Sequence, residues 1–168
     1  MKRLLAMLLV LALLPVSCFA AEALTADDFV LVIDDQPFEL GDAAADLVVA
    51  AEAAFGAMTK TEADSCMFQG KDREWSNDAL AIGSYPIGTG NSDVTESVIV
   101  YTDQLMTARG ACVGMDKETI RTLYGEDYFE DWDQWIYQMG EDGPMLIFSF
   151  DLDTDVLLSW MLLKNTAA

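Results

Sequence analysis

Ala111-Cys112-Val113-Gly114-Met115-Asp116 leads into a segment that runs to Tyr124-Gly125. It matches in kind Phe38-Glu39-Leu40-Gly41-Asp42, which leads into a segment that runs to Phe55-Gly56. Each stretch sets an apolar residue before glycine, offers an aspartate where a helix begins, and closes on aromatic-glycine. Aspartate suits a helix start because its carboxylate accepts the free N–H groups of the first turn. Glycine suits the end because it adopts the left-handed backbone that stops a helix. Between these signals, Ala44, Leu47, Val48, Ala51 and Phe55 recur at helical spacing, as do Ile120, Leu123 and Tyr124, so each segment carries one apolar face.

The flanking sequence reads as strands. Phe29-Val30-Leu31-Val32-Ile33, the turn cluster Asp34-Asp35-Gln36-Pro37 and Phe38-Glu39-Leu40 predict a hairpin before the first helix. Extended segments follow around 65–69, 79–85 and 96–101, the last two joined by a flexible loop over Gly88-Thr89-Gly90-Asn91-Ser92-Asp93. After the second helix, strands are expected at 134–139, 145–150 and 156–163, with turns at Gly140-Glu141-Asp142-Gly143 and Asp151-Leu152-Asp153-Thr154-Asp155. Aromatic-glycine is a common helix stop and could recur by accident; the matching strand order favours a repeat. The expected fold class is therefore α+β, two related units, each a short helix packed on an antiparallel β-meander. The expected boundaries are a signal at 1–20, a linker at 21–27, a first unit at 28–105, a second at 106–164 and a tail at 165–168.

Leu40-Gly41 with Phe55-Gly56, Val113-Gly114 with Tyr124-Gly125, and the closing hairpin from Leu146-Ile147-Phe148-Ser149-Phe150 to Val156-Leu157-Leu158 carry a resemblance. This pattern, spanning roughly 28–164, resembles the tandem modules of β-lactamase-inhibitor-protein-like folds and is similar to the small envelope lipoproteins of the SmpA/OmlA type. The resemblance implies a sheet that packs helices on one face and presents the other to a protein. It implies binding and scaffolding rather than catalysis. No inhibitory-loop residue can be matched position by position.

The N-terminus predicts export. Met1-Lys2-Arg3 is basic, Leu4 to Leu14 is apolar, Pro15 breaks the run, and small residues follow at Ser17, Ala20 and Ala21. The run is shorter than the roughly 18–20 residues that span a bilayer. An extracytoplasmic location follows, secreted or anchored to the outer face of the cell membrane. Cys18 has two readings: the lipidated cysteine of a lipoprotein, or part of an ordinary Cys18-Phe19-Ala20 cleavage site. Pro15 stands where a lipoprotein signal favours an aliphatic residue.

The formal charge of −20 rests on 29 acidic and 9 basic residues, two of which, Lys2 and Arg3, lie in the signal. Such a chain repels phosphate backbones and anionic lipid heads, which excludes nucleic acid as a partner and leaves membrane contact only through a lipid anchor. Acidity here does not imply disorder, because 52% of residues are apolar and 4 Trp, 5 Tyr and 8 Phe supply a core. In an oxidising compartment Cys66 and Cys112 predict one disulfide that staples the two units and is worth roughly 4 kcal/mol. Their spacing does not make a CxxC redox motif.

The chain contains no histidine, which removes the commonest general base and zinc ligand. It lacks a GxSxG elbow and a phosphate-cradling glycine loop, so no enzyme, cofactor or metal is expected. Asp151-x-Asp153-x-Asp155 echoes a calcium loop, but Val156 and Leu162 stand where an EF-hand needs glycine and glutamate, and a hairpin turn is expected.

Two function classes remain. One is an envelope or secreted non-catalytic binding or scaffold protein that recognises an extracellular or envelope protein through its sheet face, with Leu157, Met161 and Leu163 on the exposed side of the last strand. The other is an extracellular carbohydrate- or peptide-binding domain using the aromatic stretch 124–137. There Tyr128, Trp132 and Trp135 stand among Glu126, Asp127, Glu130, Asp131 and Asp133. Aromatics beside carboxylates can stack on a ligand and accept its hydrogen bonds, and they can equally close a core. A cleft lined by Trp132 and Trp135 favours a small ligand, whereas a broad exposed sheet favours a protein.

Overall fold

The computed structural model describes residues 22–87 and 93–165. The expected signal at 1–20, Cys18, most of the glycine-rich loop after Ile87 and the end of the tail lie outside the described residues.

The chain is α+β. A 3-10 turn (Ala26–Phe29) leads into β1 (Val30–Ile33) and β2 (Gln36–Glu39), a two-stranded sheet of its own. Asp34 and Asp35 take positive φ of 50° and 63°, the backbone of a two-residue hairpin whose twist matches its strands. Helix α1 (Ala44–Phe55) buries Ala44, Leu47, Val48 and Ala51, the expected face, and stops at Gly56 with φ 88°. Its N-cap position is Ala43 rather than Asp42, because the Asp42 carboxylate is already occupied by the Glu39 N–H at 3.0 Å. Helix α2 (Lys117–Tyr124) is capped as expected: the Thr119 N–H donates to Asp116 at 2.8 Å, and Gly125 ends it with φ 83°.

Eight antiparallel strands form one sheet. They are β3 (Thr59–Asp64), β4 (Lys71–Ser76), β5 (Leu80–Pro86), β6 (Asp93–Val100), β7 (Phe129–Asp131), β8 (Gln134–Gln138), β9 (Met145–Phe150) and β10 (Leu157–Leu163), in the order β3-β4-β5-β6-β10-β9-β8-β7. The last strand thus lies at the centre, joined to β6 with Trp160 opposite Val100 and Leu162 opposite Val98. Two sequence expectations change here. The segment 65–69 is a turn between β3 and β4 rather than a strand, and the second meander gains a fourth strand, β7.

The helices and the β1–β2 hairpin cover one face of this sheet. Leu80, Ile82, Val98, Val100, Phe148, Trp160 and Leu162 pack there with Leu47 and Val48 of α1 and Ile120 and Tyr124 of α2. Full burial of such side chains is worth about 1.5–3 kcal/mol each, which makes this layer the main source of stability.

Both helices are tied to the sheet by the same pair of bonds. Gly41 N–H donates to Thr95 O at 2.8 Å and Thr95 N–H to Asp42 O at 2.9 Å, beside an Ala43–Val94 bridge. Gly114 N–H donates to Leu157 O at 2.9 Å and Leu157 N–H to Met115 O at 2.8 Å, beside an Asp116–Val156 bridge. Both glycines hold positive φ, 96° and 93°, which a side chain would strain.

The expected disulfide is absent: Cys66 and Cys112 are free thiols. Cys66 sits in the turn at the Asp64–Lys71 end of the β3–β4 hairpin. Cys112 precedes Val113, which lines a groove with Phe55 and Ala79 beyond the opposite, Ser76, end. The length of β4, about 17 Å, therefore lies between them, far more than a disulfide reaches. Among the described residues no helix is long and apolar enough to cross a membrane.

Candidate binding surface

The face of the sheet opposite the helices is organised by register. Ala81 stands opposite Ile99, Ile99 opposite Met161, Met161 opposite Ile147, Ile147 opposite Ile136, and Ile136 opposite Phe129. These residues form one unbroken apolar row across six strands, from β5 to the edge at β7. Ala81 and Ile147 are buried, whereas Ile99, Met161 and Ile136 are half-buried and Phe129 is 67% exposed. None of the six belongs to the helix-side core.

The rows on either side are mostly neutral. One runs through Gly83, Ser97, Leu163, Met145 and Gln138; the other through Ser159, Ser149, Gln134 and Asp131, with Gln134 Nε2 donating to Ser149 Oγ at 3.1 Å. No lysine or arginine stands in any of the three rows. Carboxylates mark the two ends: Glu74 opposite Gly83 on β4, and Asp131 on β7. Burial, with a smaller part from the Glu74 charge, pushes the Tyr101 phenol above its ordinary range.

Met161 and Leu163 lie on this face as expected, half-buried. Leu157 does not. It is fully buried in the helix-side core, and Leu158 is exposed instead. The cause is a register shift between Leu157 and Ser159 in the β9–β10 pairing, which inserts one extra residue and reverses the alternation.

The aromatic stretch divides in the same way. Tyr124 and Tyr137 are buried, with Tyr137 Oη donating to Gly125 O at 2.8 Å, and burial raises the Tyr137 phenol. Trp135, expected in a ligand platform, is 2% exposed. It stacks on half-buried Tyr128 at 4.2 Å, meets the Phe150 ring edge-on at 5.0 Å and donates its indole N–H to Glu130 at 3.2 Å. Lys117 and Arg121 lie over the Trp135 ring at 5.6 and 5.1 Å and complete the closure of that end of the core. Trp132 is 84% exposed in the β7–β8 turn, as expected, so no cleft is shared with Trp135. Phe129 was legible only as one more aromatic; its place at the end of the apolar row depends on the β7–β8 register.

Asp151 makes a turn. Its Oδ1 accepts from the N–H groups of Asp153 and Thr154 and from Thr154 Oγ1, at 3.0, 2.8 and 2.8 Å, and these bonds lower its carboxyl below the usual range. Asp155 closes the turn with φ 55° and pairs with Lys117 at 2.8 Å. An open groove of about 690 Å³ lies at the C-terminal end of α1, between Phe55, Ala79, Tyr101 and Val113, away from Trp132.

No family model and no curated protein matches this chain. Among solved structures, it is similar to an extracellular protein containing an SCP domain from Bacillus anthracis str. Ames, at 11% identity and a TM-score of 0.47. The similarity covers 75% of this chain and 44% of that one, so the chain spans less than half of that protein's length.

Proposed function

We propose that this is an extracytoplasmic, non-catalytic binding or scaffold protein, built of two related helix-plus-meander units, whose outer sheet face recognises a protein partner. The observation that carries the reading is the apolar row from Ala81 to Phe129, flanked by serine and glutamine and free of cations. A single solvated sheet face normally alternates to polar residues, because exposed apolar surface gains nothing from folding. Here the row is kept apolar across both halves. The paired bonds at Gly41–Thr95 and Gly114–Leu157 support the two-unit reading, as does the resemblance to inhibitor-like and lipoprotein modules. The basic and apolar start of the chain supports export.

The test is site-specific photo-cross-linking in the source cells, with the reactive side chain placed at Ile99 or Met161. Val49, exposed on α1, serves as the control position. The expected result is a discrete protein adduct from the sheet positions and none from Val49. Adducts that form equally from all three, or from none, would overturn the reading.

A further inference from the structure

Trp132 occupies the first position of the two-residue turn between Asp131 and Gln134, with φ 56°. That position is ordinarily filled by glycine, asparagine or aspartate, and a tryptophan there is strained. An indole that is 84% exposed recovers none of this from packing. Phe129, three residues earlier on the same hairpin, ends the apolar row. Two exposed rings therefore belong to one hairpin at the β7 edge of the sheet.

The charge at the hairpin tip is acidic. Asp131 and Asp133 adjoin Trp132 in the turn and neither is held in an ion pair among the described residues, whereas Glu130 accepts the Trp135 indole N–H at 3.2 Å and Glu126 pairs with Arg121 at 3.7 Å. An aromatic face amid carboxylates attracts a cation twice, through the ring quadrupole and through the charge. The hairpin tip is convex, whereas a sugar ring is held in a cleft with converging donors and acceptors.

We infer that the Phe129–Trp132 hairpin anchors the partner by taking an arginine- or lysine-bearing segment, its cation against the Trp132 indole and neutralised by Asp131 and Asp133. This deepens the docking proposal and rests on it. The row would receive apolar residues of the partner, and the hairpin would fix their register through charge.

The test follows the four tryptophan indole N–H resonances of the 15N-labelled exported protein. The probe is an acetylated Arg-Gly-Arg-Gly-Arg amide, compared with its glutamate counterpart and with cellohexaose. The arginine peptide is expected to shift the Trp132 resonance saturably and leave Trp75, Trp135 and Trp160 in place. Affinity, measured by isothermal titration calorimetry because Trp132→Ala removes the reporting indole, should fall about fivefold in Trp132→Ala, the equivalent of one cation–π contact, and also in Asp131→Asn/Asp133→Asn. A shift produced by cellohexaose instead, or peptide affinity unchanged in Trp132→Ala, would overturn the inference. The cross-linking experiment separates the two proposals. An adduct that forms through Met161 and survives Trp132→Ala sinks the anchor and keeps the docking face. A peptide response at Trp132 without any adduct sinks the docking face, and with it the assignment of the hairpin to that partner.

Discussion

Asp28 and Arg109, 81 positions apart, form a two-pronged ion pair: Nε donates to Oδ1 at 2.7 Å and Nη2 to Oδ2 at 2.8 Å. The same guanidinium donates to the carbonyls of Glu22 and Ala23 at 2.8 and 3.0 Å and lies 5.0 Å from the Tyr124 ring centre. One side chain thus fastens the start of the described chain to the end of α2.

Burial alone would raise the Asp28 carboxyl, but the Arg109 and Thr25 bonds outweigh it and hold it below its ordinary 3.8. A carboxyl depressed by folding contributes stability that is fully present above its unfolded value and is lost as pH falls through the folded one. Asp28→Asn should therefore cost about 3 kcal/mol at neutral pH, since it leaves Arg109 partly buried without its counter-charge. Urea midpoints of wild type and variant should converge as pH is taken down through 3.8 and below.

Gly56 and Gly125 end the two helices with φ of 88° and 83°. Alanine at either should destabilise by about 1–2 kcal/mol through left-handed strain. Denaturation of the two variants should give nearly equal losses, and a loss at only one would show that the helix ends are not equivalent.

Cys66→Ser should change stability by less than about 0.5 kcal/mol, because the side chain is exposed and bonds to nothing covalently. Native protein treated with iodoacetamide should be alkylated at Cys66 faster than at half-buried Cys112. A reductant should leave the melting temperature where it was.

Trp132→Ala should leave folding stability within about 0.5 kcal/mol of wild type. Trp160→Ala, which removes a ring 1% exposed at the centre of the sheet, should cost about 3–5 kcal/mol. Thermal melts of the pair separate an indole kept for a partner from one kept for the core.

The helices, the β1–β2 turn and β5, β6, β8, β9 and β10 were legible because each carries a local signal: helical spacing with a glycine stop, paired aspartates, or a β-branched run. Strands β3 and β4 were not. Thr59-Lys60-Thr61-Glu62-Ala63-Asp64 and Lys71-Asp72-Arg73-Glu74-Trp75-Ser76 have no apolar alternation, because β3 is an exposed edge and β4 buries little. Charged residues there also discourage pairing with another chain. The apolar row is invisible in sequence for a different reason. Its members come from six strands, and only the non-local pairing of β6 with β10 aligns them. The bulge at Leu157 hid in the same way, since alternation read along one strand cannot detect an extra residue.

Placing β10 between β6 and β9 also dictates when the protein can fold. A growing chain that lacks residues 157–163 holds two half-sheets, each with an open edge that only the final strand can close. Closure needs β10 against β6, so contacts of long sequence separation set the folding rate. Until β10 docks, the facing edges of β6 and β9 are open templates on which another chain can pair.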